Sequence, residues 1–160
     1  MKNQIKLTIL LLLLTFGNGC DKKDGTEPAP SAQSPVGEWI NTRVERGLVG
    51  ITGVSNITED CDLLSTIKFN SNNTIEFINY NTNSSNDCSD SETITGQWIS
   101  DGSISGGFEG EIIFDSTFQG NIITNGGYSS QGQTNNFFVM YFRTTIDGEE
   151  YDYILDFQRN

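Results

Sequence analysis

Between Val36 and Gln158 the apolar residues fall mainly on every second position, and no stretch carries a sustained helical stripe with caps. In TIEFINY (74–80) Ile75 and Phe77 share a phase. In FEGEIIFD (108–115) Phe108, Gly110, Ile112 and Phe114 alternate with Glu109, Glu111 and Asp115. In YDYILDFQ (151–158) Tyr151, Tyr153, Leu155 and Phe157 alternate with Asp152, Asp156 and Gln158. A period of two sends successive side chains to opposite faces, so these are strands with one buried and one wetted face. That pattern belongs to antiparallel sheet.

The same phase runs through LLSTIKFN (63–70), where Leu63, Ser65, Ile67 and Phe69 lie together and Lys68 points away. It continues through Ile94, Gly96 and Trp98, and through Phe118, Gly120 and Ile122. With VGEWINTRVER (36–46), GLVGITGV (47–54) and NFFVMYFRTTI (136–146), the reading gives about nine strand segments. NSNN (70–73) and Asp115-Ser116 suit tight connections, and Asp147-Gly148 is a two-residue hairpin signal. Longer polar loops are expected at 81–91 and 125–135, with Tyr128 in the second. Many short strands joined by short turns make a closed barrel or a sandwich.

Three stretches precede the domain. MKNQIK carries two lysines, LTILLLLLTF is a short apolar run, and GNGC ends on Cys20. This is the order of a signal peptide, with a run too short to remain as a spanning helix. A cysteine placed first after cleavage resembles the lipobox of bacterial lipoproteins, which implies that Cys20 is lipidated and anchors the chain to a membrane. Residues 20–34, rich in charge, Pro, Ala and Ser, then read as a flexible tether, and 35–160 as the folded domain. The formal charge is −12 with 21 acidic residues, and it becomes more negative once Lys2 and Lys6 leave with residues 1–19. Such a domain repels phosphate backbones, so no nucleic-acid partner is expected.

With Cys20 lipidated, Cys61 and Cys88 remain as an even pair in an exported protein, the setting of a disulfide. A bridge over about 27 residues is worth roughly 3–4 kcal/mol. There is no histidine in the chain, so no Ser-His-Asp, Cys-His or zinc-protease arrangement can form. DGSISGGFEGE (101–111) lacks the Lys-Ser/Thr of a phosphate loop. Glu109 and Glu111 could pair as glycosidase carboxylates, but their phase places them on the solvent face. Asp60, Asp62, Asp87, Asp90 and Glu92 would be drawn together by a Cys61–Cys88 bond and could offer oxygen ligands to Ca²⁺; plain surface acid is the favoured reading. No cofactor, metal or catalytic residue is expected.

The two tryptophans both stand two residues after a glycine, in VGEWINT (36–42) and TGQWISD (95–101). A glycine on the same face as an inward tryptophan leaves room for the indole and permits a local bend. Gly-x-Trp on a first strand is the lipocalin signature, here Gly37-Glu38-Trp39. The order VG-x-W, Cys61, TIKFNSNNTIEF (66–77), Cys88 and Gly96-Gln97-Trp98 resembles the small lipocalin-like domains of Bacteroidetes lipoproteins, over roughly residues 35–158. The resemblance implies an antiparallel up-and-down barrel of about eight to nine strands, with the last strand beside the first. It implies that Arg159 covers Trp39 at a plugged end. A cavity at the other end would then be lined by Ile67, Phe69, Phe77, Trp98, Ile112, Phe114 and Tyr153. The function expected is a lipid-anchored envelope protein, in the outer membrane on either face, binding a small apolar ligand. The alternative is a structural or protein-interaction accessory lipoprotein.

Overall fold

A computed structural model describes residues 34–102, 107–130 and 136–160. The leader at 1–19, Cys20, nearly all of the tether, and parts of the 101–111 and 125–135 segments lie outside the described residues. The alternating stretches become β1 (Gly37–Leu48), β2 (Ser55–Asn56), β3 (Thr66–Phe69), β4 (Thr74–Asn81) and β5 (Asp90–Gly102). They continue as β6 (Glu109–Phe114), β7 (Thr117–Phe118), β8 (Asn121–Ser129), β9 (Phe137–Ile146) and β10 (Glu149–Arg159). A single 3-10 turn at Asp62–Leu64 precedes β3.

Eight of these strands close a barrel. β1, β3, β4, β5, β6, β8, β9 and β10 pair antiparallel in that order, and β10 returns to β1. The closing seam runs from Trp39 opposite Arg159 to Leu48 opposite Tyr151. The two short strands are additions, β2 on β1 and β7 on β8. An irregularity in the seam between Asn41 and Arg43 resets the phase of β1. Trp39, Asn41 and Val44 are therefore all buried although the last two are three residues apart, as a bulge in a barrel strand allows.

The inward phase fills the barrel with rings. Trp39 is fully buried and packs edge-on against Phe138 at 4.8 Å. Phe69 lies edge-on to Tyr128 and Phe138, and Phe138 stacks on Phe157 at 5.0 Å. Further along the axis Phe142 stacks on Tyr153 at 5.3 Å, with Phe118 edge-on to both. Such tilted and offset contacts each contribute about 0.5–1.5 kcal/mol beyond the area they bury.

Four local expectations change. Residues 49–54 form a turn rather than a strand, and Ile51 and Val54 are exposed; three glycines in eight residues (47, 50 and 53) favour a turn over a strand. Leu63 belongs to the 3-10 turn and is exposed, while Ser65, Ile67 and Phe69 of its phase are buried. The segment 118–124 is a hairpin, not one strand: it turns at Gln119-Gly120, and Ile122 is 75% exposed. Tyr128 lies within β8 and in the core rather than in a loop, its hydroxyl donating to the Ile99 carbonyl. The hairpin at Asp147-Gly148 forms as expected, with both residues at positive φ.

The glycines before the tryptophans do work different from the one expected. Gly37 has φ +138°, a conformation that disfavours any side chain, although a Cβ there would meet nothing within 4 Å. A Cβ on Gly96 would meet the Ile113 carbonyl oxygen at 2.5 Å and the Phe114 Cα at 3.0 Å. Gly96 therefore admits the close backbone of β6.

Candidate functional site

The two ends of the barrel differ. At one end the chain enters at Gly37, β3 turns into β4, and β10 finishes. This end is shut. The Arg159 guanidinium lies 4.4 Å from the centre of the Trp39 ring and donates to the Ser34 carbonyl, while the indole Nε1 of Trp39 donates to the Pro35 carbonyl at 2.8 Å. Phe108, Tyr128 and Phe138 fill the space beneath. Burial, with Asp101 nearby, pushes the Tyr128 hydroxyl up to about 12, so it stays a neutral donor.

At the other end, where β4 finishes and β10 begins, a cavity of about 310 Å³ opens. Its apolar lining consists of Val44 from β1, Ile57 just after β2, Phe118 from β7, and Tyr153 and Leu155 from β10. Interleaved with these are the amides of Asn79, Asn81 and Gln119, the Thr82 side chain, and Arg46, Glu59 and Asp62. Asn79 and Asn81 reach it because they continue the inward phase of Ile75 and Phe77 along β4.

These polar groups hold one another in place. Asn79 Nδ2 donates to Asn81 Oδ1 at 3.1 Å, and Gln119 Nε2 approaches the same oxygen at 3.4 Å. The Gln119 backbone N–H donates to both carboxylate oxygens of Glu92. Thr82 Oγ1 donates to Glu59 Oε2 at 2.8 Å, and the Glu59 N–H donates to Asp62 Oδ2 at 2.7 Å. Burial pushes the Asp62 carboxyl above the usual carboxylate range; the Glu59 N–H draws it back, and the Glu59 charge raises it again. Arg46 lies over the Tyr151 ring, 5.1 Å from its centre.

The disulfide belongs to this end. Cys61 and Cys88 are bonded, with Cα atoms 5.2 Å apart, inside normal disulfide reach. The bond ties the segment carrying Glu59 and Asp62 to the connection that follows Asn81 and Thr82. It does not gather the neighbouring acids into a metal site: no group of three or more ligating side chains occurs among the described residues. Glu92 instead serves Gln119, and Asp62 serves the Glu59 N–H.

Of the residues expected to line a cavity, Tyr153 borders this one, and the other six are not among its lining residues. Ile67, Phe69, Phe77 and Ile112 are buried in the packed centre. Trp98 sits toward the shut end, its Nε1 donating to the Asn70 carbonyl at 3.0 Å and its ring against Phe69. Phe114 packs on Phe142. The cavity is bordered by polar as well as apolar inward residues. The signal that finds the cavity is a polar residue on the inward phase: Asn79 after Ile75 and Phe77. Gly37, Trp39 and Arg159 do meet at the shut end. Glu109 is half-buried and Glu111 exposed on β6.

No protein-family model matches the chain, and a search of curated proteins finds no relative.

Proposed function

We propose that this chain is a lipid-anchored protein of the cell envelope, built on a lipocalin-like barrel, that binds one small molecule in the open-end cavity. The observation that carries the binding role is the contrast between the ends: rings fill the shut end, while a cavity of about 310 Å³ remains at the other. That volume lies at the small end of the ligand-site range of about 300–1,000 Å³. The mixed lining replaces the wholly apolar ligand expected from the sequence with one carrying polar groups. The anchor rests on the leader and Cys20, and the absence of histidine favours a non-catalytic role. The described chain enters the barrel at the shut end, away from the cavity mouth.

Both parts can be tested. Cys20→Ser should shift the protein from the membrane fraction to a soluble or uncleaved form, because stable attachment needs two or more acyl chains. A cleaved variant that still partitions like the wild type would rule the anchor out. For binding, Gln119→Trp at the exposed rim should block small molecules that the wild-type barrel takes up. A second reading, a protein-interaction role, is favoured by Ile99, Ile113, Phe137 and Tyr141, which are large, apolar and exposed on β5, β6 and β9. Retained partner capture by the Gln119→Trp protein, with no ligand found, would favour it.

A further inference from the structure

We propose that the cavity takes a neutral, hydroxyl-rich ring, a monosaccharide unit, an inference that rests on the binding role proposed above. The lining narrows the choice by chemistry. A wholly apolar ligand would strip water from Asn79, Asn81 and Gln119 and return no hydrogen bonds, a cost of about 1–3 kcal/mol per group. An anion would meet the Glu59 carboxylate in a chain of net charge −12. A cation would meet Arg46, and burial already disfavours the charge on Asp62 that would attract it. Neither sign of charge finds an unopposed partner.

A neutral ring with several hydroxyls uses what is there. Each hydroxyl both donates and accepts, and the amides present donors and acceptors side by side in planar pairs. These amides are braced by the bonds from Asn79 to Asn81 and from Gln119 to Asn81, so little side-chain freedom is lost on binding. Among these polar groups, Val44, Leu155 and the Phe118 and Tyr153 rings offer apolar surface, which suits the C–H faces of a sugar. At about 30 Å³ per water, the cavity of about 310 Å³ has room for a single sugar ring with its hydroxyls and not for a long chain lying within it.

The test uses the full-length protein in lipid nanodiscs. Saturation-transfer NMR is run against a set of neutral mono- and disaccharides and against a set of non-sugar amines, carboxylates and aromatic compounds. Signal from at least one neutral sugar is expected, weakened about tenfold or more by Asn79→Leu and abolished by Gln119→Trp, whose exposed site spares the core. Unchanged near-UV circular dichroism checks that each variant is folded. Binding of a non-sugar compound that Gln119→Trp blocks, with no sugar bound, overturns the sugar inference and leaves the cavity-binding role standing. No binding from either set overturns both.

Discussion

The two ends of this barrel solve closure with different forces. At the shut end, stability comes from burial: Trp39, Phe108, Tyr128 and Phe138 interlock, and Arg159 covers the indole. At the open end, amides and carboxylates stand among the Phe118 and Tyr153 rings around a cavity, and a covalent bond between Cys61 and Cys88 ties the neighbouring connections together. A barrel can leave one end unfilled if something other than side-chain packing fixes the strands there. The disulfide does so for the segments carrying Glu59, Asp62, Asn81 and Thr82.

The largest effect expected from breaking this contrast is at the plug. Trp39→Ala should cost about 3–5 kcal/mol of stability, read as a shift in denaturation midpoint, because the indole is fully buried among fixed neighbours. A loss under about 1 kcal/mol would mean the shut end is not held by packing. Reduction of the disulfide, or Cys61→Ser with Cys88→Ser, should cost about 3 kcal/mol. Hydrogen exchange should then rise around β3, β4 and the start of β5, while the Trp39 end stays protected. Uniform loosening would show that the bond stabilises the whole barrel rather than the cavity end. Arg159→Ala should cost only about 1 kcal/mol, because the guanidinium lies outside the core and the indole keeps its other contacts.

Asn41 marks the boundary between the two regimes. It is 2% exposed, its Oδ1 accepts the Arg43 N–H at 2.9 Å, and its Nδ2 has no hydrogen-bond partner among the described residues. Replacing a buried donor that lacks a partner with an apolar group of similar size removes a desolvation penalty. Asn41→Leu should therefore change stability by less than about 1 kcal/mol, the lost Arg43 bond being offset. A loss above about 2 kcal/mol would show that Nδ2 is satisfied by bound water or ligand.

The sequence made the barrel legible and left its cavity hidden. Alternation is a direct consequence of strand geometry, so Ile75 and Phe77, or Leu155 and Phe157, announce the inward face without any tertiary information. The plug was legible because Gly37, Trp39 and Arg159 fall at the two chain ends that closure must bring together. Hairpins within an alternating run were not. Phe118 and Ile122 share a phase on paper, yet the turn at Gln119-Gly120 reverses the chain and exposes Ile122. The cavity wall was missed for a related reason: Arg46, Glu59 and Gln119 reach it from a strand end or a connection, where phase carries no information. Asn79 and Asn81, amides on inward positions of β4, are the signal in the sequence that the core thins toward that end.

The smallest predicted effect concerns the price of charge at the open end. Burial raises the Asp62 carboxyl above its ordinary range, the Glu59 N–H opposes that shift, and the Glu59 charge adds to it. In the unfolded chain the same group titrates near an ordinary value of about 3.9. Between the two values the folded state holds a proton that the unfolded state has released, so stability falls as pH rises through this window and stays lower above it. Asp62→Asn removes the ionisation while its side-chain oxygen can still accept the Glu59 N–H. The variant should therefore melt slightly higher than the wild type at pH 7, with the difference fading below about pH 4. A wild type that melts higher at pH 7 would mean that the Asp62 carboxylate is favoured in the fold. The open end would then be built to keep its charge, and the argument for a neutral ligand would lose one of its supports.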